Sequence, residues 1–98
     1  MTKYNIGDVY KHDDKIFIIL RTFPGMKSLL VAPVMKNNTK SKNKPHIHIN
    51  LDGYVNFNAY IFIESIKFVD CSQLKVFIKK ISDKELNELN KYRKLYGF

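Results

Sequence analysis

Lys15-Ile16-Phe17-Ile18-Ile19-Leu20-Arg21 decides the fold class. The run between the two cations is wholly apolar and mostly β-branched, so it reads as a strand buried on both faces. Turn residues bracket it, His12-Asp13-Asp14 before and Phe23-Pro24-Gly25 after. Upstream, residues 5–11 read as a short strand. Downstream, Ser28 to Met35 reads as a third strand, and Pro33 predicts that it lies at an edge or carries a bulge, because proline has no N–H for a ladder. His46-Ile47-His48-Ile49-Asn50-Leu51 alternates strictly, which predicts a half-buried strand with Ile47, Ile49 and Leu51 inward. Asp52-Gly53 marks a turn, and Ala59 to Val69 reads as one long strand or a pair.

Beyond Val69 the period changes. Ser72 is placed to cap a short helix running through Ile78. Ser82-Asp83-Lys84-Glu85 is a capping box that opens a second helix. There Leu86, Leu89, Tyr92 and Tyr96 recur at helical spacing and form one apolar stripe. Short strands followed by a C-terminal helix predict a mainly β fold, a small barrel with a helix attached. At 98 residues the whole chain, 1–98, fits one domain with one modest core.

Composition narrows the function classes. The chain has 17 Lys+Arg against 9 Asp+Glu, a net charge of +8, yet 45% of its residues are hydrophobic, too many for a disordered polyelectrolyte. No apolar run is long enough to span a bilayer, and the opening Met1-Thr2-Lys3-Tyr4-Asn5 lacks the apolar stretch of a signal peptide. The lone Cys71 can form no internal disulfide. These features predict a cytoplasmic protein without membrane contact. The cations are almost all Lys, with Arg21 and Arg93 the only arginines, so part of the charge reads as general solubility. It is nevertheless uneven: residues 36–44 hold Lys36, Lys40, Lys42 and Lys44 and no acid, a pattern that favours a phosphate backbone.

The order of segments resembles the MazF/PemK (Kid) toxin family. Ile6-Gly7-Asp8-Val9-Tyr10 is similar to its opening strand, and Leu30-Val31-Ala32-Pro33-Val34 to its third. Pro45-His46-Ile47-His48-Ile49 is similar to the strand that follows. Ile63-Glu64-Ser65-Ile66-Lys67-Phe68-Val69-Asp70 resembles its acidic segment, and Ile81-Ser82-Asp83-Lys84-Glu85-Leu86 the start of its last helix. The resemblance implies a small SH3-like barrel of the CcdB/PemK type, a homodimer, a cognate antitoxin, and cleavage of single-stranded RNA with neither metal nor other cofactor. The sequence departs from the family at two site positions. Lys15-Ile16 stands where the family has Arg-Pro, and Met35 falls where its third strand ends in Thr. Lys keeps the charge but loses the bidentate grip on phosphate, and Met donates no hydrogen bond. These losses keep a second reading open, a non-catalytic binding protein on the same scaffold, either a gyrase inhibitor like CcdB or a binder of RNA or protein.

Metal-free RNA cleavage needs a base for the 2′-OH, an acid for the leaving oxygen and cations at phosphorus. The resemblance makes Glu64 the candidate base; otherwise it is an exposed strand residue. Lys15 is the candidate for stabilising the phosphorane, or an ordinary turn lysine, and the resemblance makes His12 in the first loop a candidate acid. Arg21 is either an RNA contact or a surface charge. His46 and His48 share a strand face without a third metal ligand nearby and read as surface residues. Tyr54, Phe57, Tyr60 and Phe62 belong either to an RNA-stacking surface or to the core or dimer interface. Replacing Lys36, Lys40, Lys42 and Lys44 together with Gln should weaken binding to single-stranded RNA and flatten its salt dependence, by about 0.7 in log–log slope per lost phosphate contact. Titrations across a salt series measure this, and an unchanged slope assigns the segment to solubility.

Overall fold

The computed structural model describes residues 4–36 and 47–97. In it the opening apolar run becomes strand β2, Lys15–Thr22, with Ile16 through Leu20 all buried. Alternate residues serve two cores. Ile16, Ile18 and Leu20 face one with Val9, Ala32 and Leu89, while Phe17 and Ile19 face another with Tyr10, Val31 and Leu74. The absence of any polar residue in this run follows from that double duty.

Strand β1, Asp8–His12, pairs antiparallel with β2 across the two-residue turn Asp13-Asp14. Asp13 adopts φ 55°, left-handed backbone that Asp tolerates better than most residues. After β2, Phe23-Pro24-Gly25-Met26 makes a type II turn, with Gly25 at φ 78° and the Met26 N–H donating to Phe23 O at 3.0 Å. Strand β3, Ser28–Lys36, then runs back along β2.

Strands β4, Ile47–Ile49, and β5, Ala59–Ile61, pair with each other, and Ile47, Ile49 and Leu51 point inward as the alternation predicts. The 59–69 stretch is a pair of strands. A 3-10 turn, Ile63–Ser65, separates β5 from β6, Lys67–Asp70. Strand β3 pairs with β6 through Ser28–Val31 and with β5 through Val34–Lys36. Pro33 sits between these two registers, its carbonyl accepting the Phe62 N–H at 3.0 Å. Pro33 therefore marks neither an edge nor a bulge: it lies in a central strand, where the neighbour on one side changes. The irregularity falls in β2, between Ile19 and Arg21.

The helix expected from Ser72 to Ile78 is not formed. A single 3-10 turn, Cys71–Gln73, leads into strand β7, Val76–Lys80. Asp70, not Ser72, takes the capping role, its carboxylate accepting the Ser72 N–H at 2.9 Å. Val76-Phe77-Ile78 has strand composition, and it pairs with the open edge of β1. The seven antiparallel strands run β4-β5-β3-β2-β1-β7, with β6 also on β3, and curl into an open half-barrel.

Helix α1, Asp83–Tyr96, closes one face. Its capping box is complete: Ser82 Oγ accepts the Glu85 N–H at 3.2 Å, and Glu85 Oε1 accepts the Ser82 N–H at 2.9 Å. Leu89 is fully buried, and Leu86 and Tyr92 pack on the same core, whereas Tyr96 lies at the exposed end of the stripe. Glu85 also ties the helix to the sheet. Its Oε2 accepts the Asn50 N–H at 2.7 Å, while Lys79 Nζ donates to Asn50 O at 2.9 Å.

Burial pushes the Glu85 carboxyl upward, but the Ser82 and Asn50 donors and the Lys79 charge outweigh it and hold the group below its ordinary value of 4.5. A depressed carboxyl contributes stability that is complete above the unfolded value and is lost as pH falls through the lower folded one. Stability should therefore decline on acidification below pH 4.5. Glu85→Gln keeps the cap's shape without its charge, so it should flatten that decline in denaturant unfolding measured across the acid range. Identical acid slopes would place the proton uptake elsewhere.

Candidate functional site

The β1–β2 hairpin brings two of the sequence candidates together. His12 and Lys15 are a directly opposed pair, so their side chains share one face of the sheet. Lys15 and Met35 lie one position beyond the paired Ile16 and Val34, so the two departures from the family pattern are neighbours across β2 and β3. Both line an open groove of ≈ 850 Å³. Its walls come from the hairpin (Lys11, Asp14, Lys15), the end of β3 (Met35, Lys36), the 53–57 loop (Tyr54, Val55, Phe57) and β7 (Val76, Phe77, Ile78), with Ser65 of the turn after β5 and Lys67 at the start of β6.

Charge and apolar surface coincide in this groove. Lys11, Lys15, Lys36 and Lys67 line it, against Asp14 as the only carboxylate among the described residues of its lining. Lys67 Nζ stands 4.6 Å from the Phe17 ring centroid, a cation–π contact that holds an ammonium at the wall. Met35, Tyr54, Val76 and Phe77 are four of the eight large hydrophobics left exposed among the described residues, and all four line the groove. Phe77 is steadied by the edge of Tyr10, with centroids 5.4 Å apart. Lysines for phosphates beside exposed rings for bases make a surface suited to an unpaired nucleic acid strand.

The other candidates are dispersed. His12 sits at the hairpin tip, its Nε2 3.6 Å from Asp13 Oδ2, and is not part of the groove lining. Glu64 does not interrupt a strand: it lies on the exposed 3-10 turn, because the chain must break there to pass from β5 to β6. Tyr96 Oη donates to Glu64 Oε1 at 3.5 Å, and burial, then the Glu64 charge, raise the Tyr96 hydroxyl above its ordinary value. Ser65 lines the groove and Glu64 does not. Arg21 occupies the far end of β2, with its guanidinium 5.1 Å from the Phe23 ring centroid. Lys36 is in the groove; Lys40, Lys42, Lys44 and His46 lie outside the described residues. His48 is exposed against the Tyr60 ring at 5.1 Å, and Phe62 is core. Among the described residues no group of three or more His, Cys, Asp or Glu is placed to hold a metal, and no helix is long and apolar enough to cross a membrane.

Sequence reading missed Asp14, Lys67 and Phe77. Asp14 was legible only as turn chemistry, although its place beside Lys15 was a signal. Phe77 went unrecognised because its segment reads as helical from Ser72 onward. Lys67 carries no local signal; pairing of Val31 with Lys67 is what brings it to the groove.

No protein-family model and no curated protein matches the chain. Among solved structures, an endoribonuclease from a mycobacterial species matches with a TM-score of 0.68 at 12% identity, over 100% of this chain and 96% of that one. An endoribonuclease in complex with its cognate antitoxin, also mycobacterial, matches with a TM-score of 0.68 at 11% identity, over 99% of this chain and 97% of that one. At such identities the likeness is one of fold. The curled sheet with its C-terminal helix is the CcdB/MazF-type toxin fold.

Proposed function

We propose that this chain is the toxin of a toxin–antitoxin system, an endoribonuclease that cuts single-stranded RNA in the Lys15 groove. One observation carries the reading: on a fold like that of two endoribonucleases, a single groove gathers four lysines, exposed rings and one carboxylate. The same reading implies a cognate antitoxin, a homodimer and action in the cytoplasm.

The chemistry follows the metal-free route that the family resemblance implies. Asp14 takes the proton of the 2′-OH, and the 2′-oxygen attacks phosphorus. The bond from phosphorus to the 5′-oxygen breaks, leaving a 2′,3′-cyclic phosphate, and the leaving oxygen takes up a proton, for which His12, outside the groove lining but directly opposite Lys15, is the candidate donor. Lys15, with Lys67 and Lys11 nearby in the lining, offsets the negative charge that builds on the phosphorane. Several point charges then do what one bidentate arginine does elsewhere. Glu64 is the rival for the base. Groove membership favours Asp14, and the Tyr96 contact gives Glu64 a structural occupation.

Incubating the protein with a mixed RNA and mapping the new ends tests the proposal. Asp14→Asn should lower cleavage by about 10²–10⁴-fold, and Lys15→Gln by about 10²-fold, with RNA still bound. Glu64→Gln should leave the rate close to that of the parent. Met35→Thr should raise it, because a preorganised donor where charge develops is worth about 3 kcal/mol. A large loss in Glu64→Gln with none in Asp14→Asn moves the base to Glu64. No cleavage by the parent at high concentration, and none gained by Met35→Thr with Lys15→Arg, would instead mark a binding protein.

A further inference from the structure

One row of side chains crosses five strands of the sheet. His12 is paired with Lys15, and Lys15, one position beyond the paired Ile16 and Val34, lies beside Met35. Met35 is paired with Tyr60, and Tyr60 with His48. Directly opposed residues share a face, so these five project from the same side of β1, β2, β3, β5 and β4 in turn. Four steps between strands make the row about 20 Å long, with Tyr60 about 10 Å from Lys15.

Alternation fixes which way the row faces. Ile16, Val34, Ile61 and Ile47, each the chain neighbour of a row residue, are buried in the core that holds Leu89, so the row takes the outer side. Lys15, Met35 and His48 are exposed, and Tyr60 is half-buried but belongs to neither core. Strands β4 and β5 have three residues each, and the middle one of each is a ring. The rings of His48 and Tyr60 lie 5.1 Å apart with their planes inclined by 57°. A cross-strand ring pair helps to hold a short strand, which accounts for the two rings by themselves. It does not account for their alignment with Met35 and Lys15, both of the groove lining. No member of the row bears a carboxylate, and Asp13, 3.6 Å from His12, stands at the end remote from the ring pair.

We infer that Tyr60 and His48 form a base-stacking platform for a single nucleic acid strand, joined to the groove through Met35. A strand with a phosphate at Lys15 crosses β3 and lays a neighbouring base on the two rings. Every base has a π-face, so such a platform tolerates any sequence. Met35 suits the crossing, since a thioether makes favourable contact with aromatic rings. Four lysines in the adjoining groove favour a polyanion, whereas a second copy of this +8 chain would bring like charge to them. The platform touches none of the reacting atoms, and it rests on the proposed single-strand substrate but not on cleavage.

The probe is an oligodeoxythymidine of about twelve nucleotides, which lacks the 2′-OH that cleavage requires, beside an abasic oligomer of the same length. Binding is read by fluorescence anisotropy over a salt series, and folding by thermal melts. Tyr60→Thr keeps strand propensity and removes a ring but no charge, so it should weaken thymidine binding by about 10–100-fold with the salt slope unchanged. His48→Thr should weaken it by about 5-fold. Tyr60→Phe, which keeps the ring, should bind as the parent does. On the abasic oligomer neither Thr variant should lose affinity, whereas a merely structural loss would appear on both probes. Where Tyr60→Thr melts early, His48→Thr, at an exposed position, carries the same comparison. Phe68→Thr removes an exposed ring outside the groove lining and should leave both affinities alone. Thymidine affinity unchanged in both Thr variants, an equal loss on the abasic oligomer, or a loss matched by Tyr60→Phe or Phe68→Thr overturns the platform. So does a parent that takes an acidic peptide and not the oligomer. A protein that shows the expected losses yet cuts no RNA keeps the platform and loses the proposed activity. One that cuts RNA without them keeps the activity and loses the platform.

Discussion

Strand β3 is held from both sides, and the change of neighbour at Pro33 sets the layout around it. A strand with one partner per side would make a plain sheet. Here β6 covers the first half of one side and β5 the second, so the connecting chain must turn between them, and it does so as the Ile63–Ser65 turn. Proline suits the junction because the Phe62 N–H reaches its carbonyl while no donor is needed from its nitrogen. The divided pairing swings β5 and β4 away from β6. That leaves room for Ser65 and Lys67 to reach the groove from one side while the β1–β2 hairpin reaches it from the other.

Electrostatics at the groove are diffuse rather than focused. Arginine fixes a phosphate through two parallel hydrogen bonds, whereas each lysine acts as a mobile point charge with strong hydration. Four lysines spread over the β1–β2 hairpin, β3 and β6 trade geometric definition for field strength. Met35 extends the pattern, since its thioether adds polarizable contact surface where the family pattern has a hydroxyl. The groove thus carries a diffuse positive field, with Asp14 the one carboxylate among the described residues of its lining.

What the sequence made legible was whatever a local period or cap encodes. The run Ile16 to Leu20 specified a strand buried twice over, the 47–51 alternation specified a half-buried one, and Ser82 with Glu85 marked the helix start to the residue. The order of weak motifs pointed to a fold that the solved structures match. Failure came where tertiary pairing overrode a local signal. Ser72 looks like a cap, but Asp70 sits two residues earlier and takes the N–H first, freeing Val76–Lys80 to complete β1. Candidate-site residues were legible only where a local signal marked them: His12 and Lys15 flank one turn, Asp14 read only as turn chemistry, and Lys67 and Phe77 arrive through pairings no local window contains. Glu64 shows the converse, a residue well placed in a motif that the turn geometry directs toward Tyr96.

The pairing of β1 with β7 joins Asp8 to Lys80, almost the two ends of the described chain. Contacts of such sequence separation are the costly ones to form, because most of the intervening loop must be closed before they return any energy. During synthesis β1 and β2 are made before β7, so the outer edge of β1 stays bare until β7 follows. A half-made chain therefore carries an open strand edge and no cover over Tyr10 from Phe77. One wall of the groove is Val76, Phe77 and Ile78, so the groove is complete only once β7 has been made and has paired with β1.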